Sequence, residues 1–93
     1  MKLKNVILTD GRIVSYDFND TNLVINFEDY SNNLLVLIFF DVSDLMDNEC
    51  TTYEVMDRKI AKSKECNSMQ FLDDDSEVLL SFKYKNVEVT FKE

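Results

Sequence analysis

The stretch LVINFEDYSNNLLVLIFF, residues 23–40, contains two apolar runs separated by a short polar loop. Leu23, Ile25 and Phe27 recur at every second position, which is the period of a strand with one buried face. A loop at 30–33 predicts a hairpin that sets an apolar row of each strand against the other. In this register Val36, Ile38 and Phe40 lie beside Phe27, Ile25 and Leu23, respectively.

The second run, LLVLIFF at 34–40, is apolar on both faces. A strand of this kind is central and covered by a second layer. That layer can be the C-terminal hairpin of the same chain, giving a small sandwich or half-open barrel, or a subunit or partner at an interface. The residues expected on this second apolar face are Leu35, Leu37, Phe39, Val24, Val6, Leu8 and Ile13.

Turn signals before residue 23 extend the pattern toward the N-terminus. The chain's only glycine lies in Asp10-Gly11, a typical sequence for a two-residue type I′ hairpin turn. This turn predicts that residues 3–8 pair with 13–18 and that Lys4 forms a cross-strand ion pair with Asp17. A two-residue turn at Asp20-Thr21 is expected to pair Phe18 with Leu23, Tyr16 with Ile25 and Val14 with Phe27.

The same logic at the C-terminus completes the prediction of the fold. A turn at Lys85-Asn86 is expected to pair residues 80, 82 and 84 with 91, 89 and 87. We therefore predict a single all-β domain over 1–93, an antiparallel meander of hairpins that forms a small sandwich or half-open barrel with room for one short helix. The predicted core consists of Val14, Tyr16, Phe18, Leu23, Ile25, Phe27, Val36, Ile38, Leu80, Phe82, Val89 and Phe91.

Two segments leave alternatives open. VSDLMDN, 42–48, is compatible with one helical turn that has Ser43 as N-cap. TTYEVMDRKIAKSKEC, 51–66, is consistent with a capping box at Thr51 and a helix, or with two strands that turn near Asp57-Arg58. We favour the strands.

Composition restricts the function more than any motif does. A formal charge of −8 opposes direct binding to nucleic acid or to anionic membranes. The chain has no histidine and one glycine, so imidazole catalysis and phosphate-binding glycine loops are excluded, and we expect neither an enzyme nor a cofactor. Cys50 and Cys66 match no zinc pattern and are expected to be free thiols of a cytoplasmic protein.

Acidic residues dominate the middle of the sequence. DVSDLMDNE at 41–49 and DDDSE at 73–77 lack the glycine and the alternation of a calcium loop, so we expect solvated faces there and no metal site. From Asp17 to Asp57 there are ten acidic residues and no lysine or arginine, which favours a docking face for a cationic partner protein, with Tyr30 and Tyr53 as aromatic anchors. The predicted partner-binding residues are Asp17, Asp20, Glu28, Asp29, Tyr30, Asp41, Asp44, Asp47, Glu49, Tyr53 and Glu54.

The hairpin strands LVINFEDY and LLVLIFFDV, followed by SDL and set in an acid-rich middle, resemble those of small acidic immunity proteins of bacterial toxin systems, including contact-dependent inhibition and polymorphic toxins. The resemblance implies a stoichiometric inhibitor of a basic toxin, often a nuclease, that blocks the active-site region. It assigns no role to any individual residue. The alternatives are a DNA-mimic or phage-type inhibitor of a nucleic-acid-binding protein, and a structural subunit that forms a homodimer through the second apolar face.

Overall fold

Two antiparallel four-stranded sheets enclose one hydrophobic core in the computed structural model, which describes residues 2–92. The strands are β1 Arg12–Asn19, β2 Asn22–Glu28, β3 Leu34–Phe40, β4 Ser43–Asp47, β5 Asp57–Lys62, β6 Asn67–Leu72, β7 Val78–Tyr84 and β8 Asn86–Phe91. Their order is β1-β2-β3-β8 in the first sheet and β4-β7-β6-β5 in the second. The prediction of an antiparallel, mainly β sandwich is confirmed.

The hairpin of β1 and β2 has the predicted turn and most of the predicted register. Phe18 lies opposite Leu23 and Tyr16 opposite Ile25, as expected. A β-bulge at Val14 then shifts the pairing, so that Ile13 and not Val14 faces Phe27. Val14 consequently points outward and is 40% exposed.

The register of β2 and β3 differs by one residue from the prediction. Leu35, Leu37 and Phe39 lie opposite the buried row of β2 and are themselves buried. The cause is the loop, which spans 29–33 and closes through the Asp29 N–H and the Asn33 carbonyl. A slip of one residue exchanges the two faces of a strand. The predicted second apolar face is therefore largely the true core, and Val36 and Ile38 are only half-buried on the outer face.

The predicted hairpin at Asp10-Gly11 is wrong. Residues 3–5 form a 3-10 turn, and Gly11 instead makes an isolated antiparallel bridge with Val55. Its φ is not positive, so the turn does not explain the glycine. A Cβ atom at this position would overlap the ring of Phe27 and lie 2.8 Å from the Glu28 carbonyl oxygen. Gly11 is needed because β2 passes directly beneath it.

The N-terminal segment covers the side of the sandwich between the edge strands β5 and β8. Leu3, Val6 and Leu8 are buried there. Arg58 of β5 holds the segment by donating hydrogen bonds to the Leu3 carbonyl at 2.9 Å and the Lys4 carbonyl at 3.4 Å. Lys4 is therefore not paired across a hairpin with Asp17, whose strand is the opposite edge of the first sheet.

The chain crosses between the sheets twice, from β3 to β4 and from β7 to β8. At each crossing the structure differs from the element that the sequence suggested. The predicted C-terminal hairpin does not form, because β7 belongs to the second sheet and β8 to the first. In the connection between these two strands, the Lys85 N–H donates to the Phe40 carbonyl. The helical turn that the sequence allows at 42–48 does not form. That segment is β4, whose pairing with β7 is interrupted by a bulge where Asp44 has a φ of 54°.

The helix alternative for 51–66 is not observed, and the strand alternative is correct only in its second half, because 51–56 forms a turn and an isolated bridge at Val55 and the predicted turn is misplaced. β5 begins at Asp57, and the hairpin turn lies at Ser63–Cys66. The core prediction is half correct. Leu23, Ile25, Phe27, Leu80, Phe82 and Val89 are buried, Tyr16, Val36 and Ile38 are partly buried, and Val14, Phe18 and Phe91 are exposed.

Helical structure is limited to the 3-10 turn in the part of the chain that the structure describes. Residues 2–92 therefore include no helix that is both long and apolar enough to cross a membrane.

Candidate functional site

The strands run between two ends of the sandwich that carry different surfaces. We call the end with the β1–β2 turn, residues 41–42 and the β5–β6 turn the turn end. The opposite end, with the loops 29–33 and 73–77 and the segment 48–56, is the loop end. Seven residues of β2 separate the two ends, and at the rise of a strand that distance is roughly 20 Å.

The structure distributes the predicted docking residues over both ends. At the turn end, the Val42 N–H donates to the Thr21 carbonyl at 2.7 Å and so brings Asp41 next to the turn that contains Asp20. Asp44 is close by and pairs with Lys83 at 3.2 Å. The predicted residues divide into Asp17, Asp20, Asp41 and Asp44 toward the turn end, Glu28, Asp29, Tyr30, Glu49, Tyr53 and Glu54 at the loop end, and Asp47 on the flank.

Asp47 connects the two sheets along the side formed by β1 and β4. Its Oδ2 accepts a 2.7 Å hydrogen bond from the Tyr16 hydroxyl, and its Oδ1 accepts the Cys50 N–H at 3.0 Å. Burial raises the pKa of Asp47, but these hydrogen bonds outweigh it and hold that pKa below its ordinary value. The same hydrogen bond raises the pKa of Tyr16 to about 12. Both oxygens of the Asp47 carboxylate therefore form hydrogen bonds within the fold.

Two acids of the loop end are also engaged within the chain. Glu28 forms an ion pair with Arg12, with the Arg12 Nε and the Glu28 Oε1 3.0 Å apart. Asp29 Oδ1 accepts the N–H groups of Ser31 and Asn33 and so caps its own loop. These carboxylates contribute negative potential to the surface, but a partner would have to displace existing hydrogen bonds to contact them directly.

The acids that are best placed to receive a partner line a groove of about 360 Å³ at the loop end. Its walls are the segment 52–56 and the start of the loop 73–77, which are joined where the Met56 N–H donates to the Leu72 carbonyl at 2.8 Å. Tyr53 is 51% exposed in this groove. We call the set Thr52, Tyr53, Glu54, Met56, Asp73 and Asp74 the acidic groove.

The loop 73–77 presents its carboxylates because Asp73 organises it. Asp73 Oδ1 accepts the N–H groups of Asp75 and Glu77, each at 2.9 Å, and Ser76 adopts a positive φ of 62°. The loop 29–33 repeats this pattern, because the Asn32 N–H donates to the Asp29 carbonyl at 3.0 Å and Asn32 has a positive φ of 64°. Asp74 occupies the second loop position, is exposed, and forms no hydrogen bond or ion pair within residues 2–92.

Sequence reasoning missed Asp73 and Asp74 as members of the site. It interpreted 73–77 as an exposed turn, which is correct for the backbone, but it could not place that turn beside Tyr53. The shared signal of the loops 29–33 and 73–77 is an aspartate at the first position with four residues to the next strand. Such a pattern identifies an Asp-capped loop but not its neighbours.

The acidic groove is suited to bind a positively charged group. Its three carboxylates belong to Glu54, Asp73 and Asp74, and its lining includes no lysine or arginine among the described residues. Within residues 2–92, no three acidic or cysteine side chains converge as they would around a metal ion. A half-exposed tyrosine beside carboxylates is suited to a guanidinium or ammonium group, which can contact the ring face and an acid together.

Comparison of the chain with protein-family models, with curated proteins and with solved structures found no match in any of the three.

Proposed function

We propose that this chain is a non-catalytic binding protein that docks a basic partner protein at the acidic groove. The observation that carries the proposal is Tyr53, which is 51% exposed in a groove that it lines together with Glu54 and Asp74 and that has no basic lining residue among those described. Aromatic residues surrounded by polar groups are the usual energetic centres of protein interfaces.

Long-range charge supports the same assignment. The net charge of −8 and the acids of the loop end would steer a cationic partner toward this surface and accelerate association at low salt. Contacts made by Tyr53 would then determine how long the complex lasts, because dissociation depends mainly on the buried centre of an interface.

The class of partner follows from the resemblance of the strands 23–30 and 34–42 to acidic immunity proteins. On this proposal the partner is a basic bacterial toxin, in many such systems a nuclease, and the chain blocks its active-site region in the cytoplasm. The separate thiols of Cys50 and Cys66 support a reducing compartment. An inhibitor of this kind needs surface complementarity and no catalytic group of its own.

The test begins with capture of basic proteins from the native host on the immobilised full chain. Association and dissociation rates are then measured for Tyr53→Ala and for the double variant Glu54→Lys/Asp74→Lys. We expect Tyr53→Ala to raise the dissociation rate at least about thirtyfold, as loss of a 2 kcal/mol hot spot would. The double reversal should slow association and flatten its dependence on salt.

The matched control is Asp17→Lys/Asp41→Lys, which changes the net charge equally at exposed positions toward the turn end. Equal effects of the two double variants would show that net charge, and not the acidic groove, governs binding and would overturn the proposal. Capture of an acidic partner would do the same. Competition of the captured partner by duplex DNA, with no toxic activity in that partner, would favour a DNA-mimic inhibitor instead.

A further inference from the structure

A groove of the opposite charge lies at the turn end, between the N-terminal segment and the edges of both sheets. It has a volume of about 570 Å³. Lysines enter it from three separate parts of the chain, namely the 3-10 turn region, β5 and the β7–β8 connection. We call the set Lys2, Lys4, Lys62, Lys85, Asn67 and Asn86 the lysine groove.

The lysine groove concentrates positive charge on an otherwise acidic protein. It holds four of the ten basic residues of the chain, and no acidic residue is among its described lining. Within residues 2–92 the ion pairs join Arg12 to Glu28 and Lys83 to Asp44. No described carboxylate therefore lies within 4.0 Å of the four ammonium groups.

The acids of the loop end do not cancel this local field, and those toward the turn end, Asp17, Asp20, Asp41 and Asp44, are not among the described lining of the groove. The carboxylates of the loop end are roughly 20 Å away along the strands, more than twice the Debye length of about 8 Å at physiological ionic strength. Their influence at the lysine groove is thus largely screened. Within the described lining of the lysine groove, a bound anion would meet ammonium groups and no carboxylate.

The backbone that carries these lysines is fixed before any ligand arrives. Arg58 binds the carbonyls of Leu3 and Lys4, and the Asn5 N–H donates to the Lys2 carbonyl at 3.0 Å. Across the groove, Asn67 Nδ2 donates to the Lys85 carbonyl at 3.3 Å. A preorganised site loses less conformational entropy on binding than a mobile one.

Arg58 adds a further positive charge beneath the groove. Burial raises the pKa of Tyr84, a lining residue, and the charge of Arg58 opposes that rise. The guanidinium is therefore close enough to act electrostatically on the groove wall. On the same side, Ile60 is 39% exposed and offers an apolar surface next to the ammonium groups.

We propose that the lysine groove binds a small soluble ligand that carries two or more phosphate charges, with its uncharged part against Ile60. This site goes beyond the proposed function, since it lies at the other end of the sandwich from the acidic groove. The volume falls within the range of small-molecule pockets, about 300–1,000 Å³. Several lysines and side-chain amides around one hollow provide the donors that phosphate oxygens require.

The test is a titration of the full chain with pyrophosphate, followed by nuclear magnetic resonance of the backbone amides. We expect shifts confined to the lysine groove, centred on Lys4, Lys62, Asn67 and Asn86. The double variant Lys62→Gln/Lys85→Gln should weaken binding at least about tenfold, as loss of one charged hydrogen bond would. The control Lys59→Gln/Lys92→Gln removes the same charge at exposed positions outside the groove.

Three results would overturn the proposal. The first is the absence of amide shifts at millimolar pyrophosphate, and the second is equal weakening by both double variants, which would indicate non-specific attraction. The third is cosedimentation with phosphatidic acid vesicles without any response to pyrophosphate, because the phosphate would then be that of a membrane surface. None of these outcomes involves Tyr53, so the proposed function is tested separately.

Discussion

At the scale of single residues, the hydrogen bond between Tyr16 and Asp47 gives the fold a measurable dependence on pH. The folded-state pKa of Tyr16, about 12, exceeds the ordinary value of 10.0. A raised folded-state pKa means that the stabilisation is complete below pH 10 and is lost as the pH rises toward 12. Asp47 has the opposite sign, because its lowered pKa provides stabilisation that is lost as the pH falls through the folded-state value.

We therefore expect Tyr16→Phe to lower the free energy of unfolding by about 0.5–1.5 kcal/mol at pH 8, the usual net value of a hydrogen bond. The difference between the variant and the natural chain should shrink between pH 10 and 12 as the tyrosine of the natural chain ionises. Urea unfolding of both proteins between pH 8 and pH 12 measures this difference in the free energy of unfolding. Comparison of the two removes the alkaline contribution of Cys50, whose pKa burial raises to about 12. A difference that stays constant to pH 12 would contradict the hydrogen bond.

At the scale of elements, neighbouring residues of β3 distinguish the observed register from the predicted one. Leu37 is fully buried, whereas Ile38 lies half-buried on the outer face. We expect Leu37→Ala to cost about 2–5 kcal/mol in the free energy of unfolding. Ile38→Ala removes a side chain of the same composition and should cost about 1 kcal/mol, since less apolar area leaves water there. Chemical denaturation gives both values, and the reverse order would support the predicted register.

Local elements could be predicted from the sequence, and elements defined by distant partners could not. The turn at Asp20-Thr21 and the alternating strand of 23–27 follow from turn chemistry and period, and both are correct. Gly11 matched a turn sequence, but the position requires glycine because a Cβ atom there would overlap the ring of Phe27, sixteen positions away. The pairing of β8 with β3 likewise depends on a strand nearly fifty residues earlier. Periodicity contains no information about such partners.

The candidate site shows the same limit. The sequence identified Tyr53 and Glu54 because the lack of basic residues around them is a local property. It assigned Asp47 to the same surface, although that carboxylate caps the Cys50 N–H and binds the Tyr16 hydroxyl. The addition of Asp73 and Asp74 required knowledge of how two loops pack. The lysine groove likewise depends on distant residues, since its members are up to 84 positions apart, from Lys2 to Asn86.

At the scale of the whole molecule, both sheets depend on one core. Phe39 of the first sheet packs edge-to-face against Phe82 of the second, with ring centroids 4.7 Å apart. We expect Ile25→Ala and Phe82→Ala, one in each sheet, to cost roughly 2–5 kcal/mol and to lower hydrogen-exchange protection in both sheets together. The control Phe91→Ala truncates a ring that is 53% exposed and should have a much smaller effect. Loss of protection confined to the mutated sheet would show that the sheets unfold separately.

The bulges at Val14 and Asp44 also affect how copies of the molecule meet in concentrated solution. Both lie on edge strands, where a regular ladder of free backbone groups would be a template for the strand of another molecule and a starting point for fibrils. The bulge in β1 interrupts that ladder at Val14, near the start of the strand, and the bulge in β4 lies at Asp44, which adds a carboxylate. We therefore expect these two irregularities, which weaken pairing within each sheet, to hinder edge-to-edge pairing between molecules.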